Sequence, residues 1–172
     1  MSRALLVFLL AASCAFAQKY GVGTPASPAD IAALDIAVQP DGTGLPEGQG
    51  TAAEGAKIYE TQCRECHGPE GKGGDETGFV GSVADLTGEK PKKTVGSYWP
   101  YATTLWDYIN RAMPFVRPGT LTDDQVYAVS AYILHLNGLI GENEQLNAET
   151  LPKIEMPNRN GFVADPRPDV GQ

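Results

Sequence analysis

Cys63-Arg64-Glu65-Cys66-His67 is the stretch from which this chain is best read. It has the form C-x-x-C-H, the attachment pattern for a covalent c-type haem. Each residue type answers a need of that chemistry. Two thiols three positions apart lie on about one helical turn, so each can form a thioether with one of the two haem vinyl groups. The residue that follows lies under the iron, where an imidazole nitrogen of His67 can bind. Other readings compete with this one. A thioredoxin-like redox pair sets C-x-x-C beside a βαβ pattern, and no strand run precedes Cys63. A zinc site needs about four ligands, and the spare histidine, His135, lies far along the chain. A chance match on a surface loop is the bland alternative.

The N-terminus supplies an export context. Arg3 forms a lone basic region, Ala4 to Ala12 a short apolar run, and Ala15-Phe16-Ala17 an A-x-A-like cleavage site before Gln18. The apolar run is too short to span a bilayer, and no later stretch is longer. Cys14 after Ala12-Ser13 resembles a lipoprotein signal, but Ala11 stands where such signals carry leucine. Cleavage after Ala17 removes Cys14 and leaves Cys63 and Cys66. In an oxidising compartment these would form a disulfide unless haem attachment consumes both. The formal net charge is −8, and loss of Arg3 makes it more negative. That balance argues against a nucleic-acid partner and against docking on anionic lipid, and it permits steering toward a basic protein surface.

Few segments are strongly periodic. Residues 18–50 form an extension rich in Gly, Pro, Ala and Asp, with a short helix start at Pro28 to Leu34 and turn chemistry at Gln39 to Gly44. Its Ile31, Leu34, Ile36, Val38 and Leu45 predict packing on the domain or on a partner. Thr51-x-x-Glu54 is a capping box that opens a helix running into Cys63. Gly55 inside it predicts close approach of another helix, with Tyr59 one turn later on the same side. Gly68 to Gly74 reads as loop and lacks the ending of a phosphate-binding loop. Residues 75–97 read as irregular, with Phe79, Val80, Val83 and Leu86 inward. Lys90, Lys92 and Lys93 form a small basic cluster on that loop, best read as solvated. Leu105, Ile109 and Ala112 mark an amphipathic helix stopped by Pro114. Thr122 and Gln125 cap a further helix whose Val126, Val129, Ile133 and Leu136 share a face, and Asn137-Gly138 closes it. This helix is the candidate to cross at Gly55. Residues 139–172 carry prolines without periodicity and read as an extended tail.

A low-spin electron-transfer haem needs a second axial ligand. Met113 lies in a loop between two helices placed to frame a haem. Met156 lies in the tail, and His135 projects from the polar face of the last helix. Met113 is preferred, followed by His135 and then Met156 or an open site. A thioether is soft and neutral and favours the ferrous state, so ligation by His67 and Met113 raises the potential.

The helix entering C-x-x-C-H, the Met-Pro loop and the final capped helix together resemble class I cytochromes c, over about Thr51 to Gly138. The resemblance implies an all-α class I cytochrome c fold with extended N- and C-terminal arms around one covalent haem c. It makes Cys63 and Cys66 the thioether residues and His67 and Met113 the axial pair, with Gly55, Tyr59 and Tyr132 at the helix crossing. The chain then divides into a signal peptide at 1–17, an extension at 18–50, a cytochrome c domain at 51–138 and a tail at 139–172. Many class I cytochromes carry Gly-Pro-x-Leu after the haem motif, whose backbone helps to orient the axial histidine. Gly81-Ser82-Val83 stands in that region here, so the acceptor for the second ring N–H of His67 is unassigned.

A narrower resemblance rests on Pro40 to Pro46, Tyr98-Trp99-Pro100-Tyr101, Arg111-Ala112-Met113-Pro114-Phe115 and Met156-Pro157-Asn158-Arg159. These are similar to the SoxD-type cytochromes, haem subunits of sulfur (sulfane) dehydrogenase, and to cytochromes serving molybdenum sulfite dehydrogenases. The resemblance implies a periplasmic carrier that takes single electrons from a molybdenum-containing sulfur-compound dehydrogenase subunit and passes them to another cytochrome. The chain itself shows no residue set for sulfur chemistry or for a molybdenum cofactor. A general soluble shuttle without a dedicated enzyme, and an open-site haem sensor or peroxidase, are the rival functions.

Overall fold

A computed structural model describes residues 22–167. The signal peptide read at 1–17, with Cys14, lies outside the described residues. The chain divides into two units, Met1–Ile36 and Ala37–Gln172. In the first, helix α1 (Pro28–Leu34) starts with a capping box between Ser27 and Asp30 and with Pro28 at its first turn, where a missing N–H costs nothing. It buries no residue, and Ile31, Leu34 and Ile36 are exposed.

The second unit is built on α2 (Ala52–Gln62), α3 (Arg64–His67), α4 (Val95–Tyr98), α5 (Ala102–Ala112) and α6 (Asp123–Leu136). A pair of two-residue strands, β1 (Gln49–Gly50) and β2 (Leu146–Asn147), is antiparallel with Gln49 opposite Asn147. The capping boxes expected at Thr51/Glu54 and Thr122/Gln125 are both present, each satisfying N–H groups that the helix cannot reach itself. A further box at Thr94/Ser97 starts α4 inside a stretch that the sequence reads as irregular. Among the described residues no helix is long and apolar enough to cross a membrane.

Helix α6 is the axis of the core. Val126 to Leu134 are buried throughout except for half-buried Tyr132, so burial extends beyond the single face that its periodicity predicts. Each large apolar side chain wholly buried there contributes about 1.5–3 kcal/mol. The reason for the wide burial is that α6 is covered on several sides, by α2, by α5 and by β1. On the α2 side, a Cβ placed on Gly55 would lie 1.9 Å from the Ala128 carbonyl oxygen and 2.9 Å from Tyr132 Cβ. The two helices therefore cross backbone to backbone, as the glycine predicts.

The flanks of this helical core are packed on it. Val38 N–H donates to Asp107 Oδ1 at 3.0 Å, Gln49 N–H to Asp124 Oδ1 at 2.7 Å, and Tyr127 Oη to the Pro46 carbonyl at 2.9 Å. Val38 and Leu45 rest against the core, whereas Ile31, Leu34 and Ile36 bury nothing of note. The tail wraps the same unit. Leu146, Leu151 and Met156 are each buried to 1% exposure or less, and Asn158 Nδ2 donates to the Tyr98 carbonyl at 2.9 Å. Arg159 lies over the Tyr101 ring at 4.1 Å. In the loop after the haem motif, Phe79 and Leu86 are half-buried as expected, but Val80 and Val83 are exposed. A 3-10 turn at Val83–Leu86 sets the direction of Val83, not an alternating pattern.

The crossing makes a clear prediction. On an isolated helix Gly55→Ala would stabilise by about 1 kcal/mol. Here the methyl meets a helix backbone that cannot rotate away, so overpacking should win and cost about 1–3 kcal/mol. Denaturant unfolding of the variant against the parent measures the sign.

Candidate haem centre

The attachment motif sits where one helix ends and the next turn begins. Cys63 closes α2, its N–H bonded to the Tyr59 carbonyl at 3.0 Å, and opens α3 by accepting from His67 N–H at 3.0 Å. The turn places Cys63, Cys66 and His67 together. Cys63 is half-buried and Cys66 exposed, and both are free thiols. Burial, with a smaller contribution from Cys66, pushes the Cys63 thiol up to about 11.

The glycine-rich loop then folds back under this turn. Gly68 has φ +73°, and a Cβ on it would lie 2.1 Å from the Gly73 carbonyl oxygen, so both its dihedral and its surroundings require glycine. Tyr59, wholly buried, donates its hydroxyl to the Gly68 carbonyl at 2.7 Å, and burial pushes that phenol up to about 12. Gly73 N–H donates to the His67 carbonyl and Glu76 N–H to the Cys66 carbonyl, both at 3.0 Å. These bonds bring the Thr77 carbonyl to 3.2 Å from His67 Nδ1. A carbonyl only accepts, so Nδ1 carries a proton, and in the neutral ring Nε2 is then the nitrogen with the lone pair. The Phe79 ring lies against the imidazole, with centroids 4.3 Å apart. Thr77 is the partner that the sequence leaves unassigned. Its side chain carries no signal, and only the glycine spacing around it betrays a loop tight enough to return.

The remaining candidate ligands are sorted by their surroundings. Met113 caps the end of α5, its N–H bonded to the Ile109 carbonyl at 3.0 Å. It is half-buried against the core. The loop after it is tied to the motif, because Arg117 donates to Gln62 Oε1 at 3.0 Å, and Gln62 directly precedes Cys63. Met156 is 1% exposed among core side chains. His135 is half-buried with Nδ1 3.1 Å from the Ile140 carbonyl. It is therefore not the free surface histidine that its helical angle predicts, because residues 139–140 turn back over the end of α6.

These residues suit an iron porphyrin. One turn offers two free thiols and an imidazole with a fixed tautomer, and a neutral thioether closes the neighbouring helix. Among the described residues no group of three or more His, Cys, Asp or Glu is placed to hold a metal ion, whereas a structural zinc takes about four such ligands.

Such a helical frame around such a turn defines a class I cytochrome c, a family that implies haem. Comparison with known proteins agrees. Residues 50–133 match the family described as cytochrome c oxidase, cbb3-type, subunit III. A thiosulfate dehydrogenase from Stutzerimonas stutzeri (strain A1501) is 32% identical over 88 residues, 51% of this chain and 28% of that protein. One from Psychrobacter arcticus is 26% identical over 117 residues, 64% of this chain and 35% of that protein. The chain thus spans only about a third of the length of these relatives. The crystal structure of the sulfane dehydrogenase SoxCD from Paracoccus pantotrophus matches at 41% identity with a TM-score of 0.78, over 87% of this chain and 74% of that chain. The chain belongs to the SoxD-type cytochromes.

The unequal thiols give a test in the haem-free chain. The thiolate is the reactive form, and the raised value keeps Cys63 protonated at about pH 8.5. Iodoacetamide should therefore alkylate exposed Cys66 first, as read by peptide mass spectrometry. Equal rates at the two positions would contradict the buried environment of Cys63.

Proposed function

We propose that this chain is a periplasmic electron-transfer subunit with one covalent haem c, docked to a molybdenum-containing dehydrogenase of sulfur compounds. The observation that carries the proposal is His67, held through Nδ1 by Thr77 with Nε2 free, in the same turn as two free thiols. The likeness to the sulfane dehydrogenase SoxCD structure supports the choice of partner. Cys63 and Cys66 would hold the haem through thioethers, and His67 and Met113 would ligate its iron. When bound, haem c supplies a one-electron couple between Fe(III) and Fe(II). The chain's own part is to fix that couple. The Thr77 carbonyl orients the imidazole and strengthens it as a donor. The Met113 thioether, soft and neutral, favours the reduced state. Burial of Met156 among core side chains, and the Arg117–Gln62 bond that ties the loop after Met113 to the residue preceding Cys63, support Met113 over its rivals.

The sulfur chemistry belongs to the partner, and another cytochrome accepts the electrons. The acidic surface, formal charge −8, suits steering toward a basic partner face. The exposed apolar side chains of α1, Ile31 and Leu34, make residues 18–36 the arm assigned to docking. The tail beyond Leu139 supplies buried core residues and is not free for that role as a whole.

Two experiments test this reading. Met113→Ala should convert a six-coordinate low-spin spectrum to one with an open position that binds carbon monoxide rapidly. An unchanged spectrum rejects Met113 as ligand, and an open site in the parent favours a sensor or peroxidase. Pull-down of the mature protein from its own periplasm should recover a molybdenum subunit, with haem reduction on adding thiosulfate or sulfite. Deleting residues 18–36 should abolish recovery while leaving the haem spectrum intact. A general shuttle predicts no stable partner and no effect of that deletion.

A further inference from the structure

We propose that Asn137 is a positioning residue for the axial ligand His67, acting through the backbone of residues 77–81. The inference rests on the reading of His67 as an iron ligand. In the sequence Asn137 closes α6, a capping role in which its side chain has no stated partner. In the structure that side chain is a cross-link. Asn137 Oδ1 accepts from Gly81 N–H at 3.2 Å, and Nδ2 donates to the Phe79 carbonyl at 3.3 Å and to the Ile133 carbonyl at 2.8 Å. The amide orientation follows from its partners, because an N–H faces one end and carbonyls face the other. Gly96 leaves room for it, since a Cβ there would lie 1.9 Å from Asn137 Oδ1.

The run so held is the one that governs His67. Phe79 N–H donates to the Gly71 carbonyl at 2.7 Å, and Gly96 N–H donates to the Phe79 carbonyl at 3.2 Å. Backbone bonds alone thus fix residue 79 from two sides. Asn137 adds a second bond at the Phe79 carbonyl and accepts one from Gly81 N–H. Phe79 lies against the His67 ring at 4.3 Å, and Thr77, two residues earlier, accepts from Nδ1. Loss of the amide frees the Gly81 end of the run and loosens the Nδ1–H···O bond. A weaker bond makes the imidazole a poorer donor, which destabilises Fe(III) more than Fe(II) and raises the reduction potential.

The test uses the haem-loaded protein and compares Asn137→Ala with Thr122→Ala, which removes the cap at the far end of the same helix, where Thr122 Oγ1 accepts from Gln125 N–H. Both variants should lower Tm. Only Asn137→Ala should raise the potential and speed solvent exchange of the His67 Nδ1 proton, by about tenfold or more. Asn137→Ser, which keeps a polar group but not its reach, should shift both readouts in the same direction and decides the matter if the alanine variant fails to assemble. If the asparagine variants lose stability with potential and exchange unchanged, Asn137 is only a structural cap. A parent spectrum without a histidine-ligated low-spin haem would instead overturn the ligand assignment on which the inference rests.

Discussion

Helices α2 and α6 meet without side chains between them, the glycine of one against a carbonyl of the other. Close backbone approach is unforgiving, because neither partner can change rotamer to relieve a clash. The arrangement of the haem turn depends on it. α2 ends in Cys63, so the angle and height at which α2 crosses α6 decide where the thiols and His67 lie. One turn from the crossing, Tyr59 is wedged between the rings of Phe79 and Tyr132, and its hydroxyl fixes the first carbonyl of the glycine loop. The same face of the molecule thereby links a helix crossing, an aromatic cluster and the loop beneath the imidazole.

Much of this frame is legible in the sequence, because it depends on interactions between near neighbours along the chain. Thr51 with Glu54 and Thr122 with Gln125 announce their helices, since a capping box needs only residues three apart. Leu105, Ile109 and Ala112 announce α5 by period. Gly55 announces the crossing because glycine inside a capped helix calls for a reason. What escapes the sequence depends on contacts between distant segments. The exposure of Val83 follows from a 3-10 turn within an otherwise aperiodic loop. The tail reads only as extended because its anchors, Leu146, Leu151 and Met156, follow no helical or strand period, each filling a separate gap. His135 changes character because the chain turns back at Ile140.

The site shows the same division. C-x-x-C-H is a local pattern and names its own chemistry, so the cysteines and the histidine are visible at once. Met113 is proposed from its position between two helices, and the structure adds the Arg117–Gln62 bond that ties its loop to the residue preceding the first cysteine. The control of His67 is invisible, because it is exerted by main-chain atoms in a loop shaped by glycines.

The use of a main-chain oxygen at Thr77 bears on how such a carrier can change over time. A side-chain acceptor can be lost or altered by one substitution, and the donor strength of the imidazole would change with it. A carbonyl is present whatever residue occupies position 77. Drift in the identity of that residue is therefore nearly silent for the iron, while a change at a distant glycine that moves the loop by a few tenths of an ångström is not. On the proposed ligation, this part of the cytochrome's electron-accepting tendency is inherited as a backbone path, and reshaping that path retunes it.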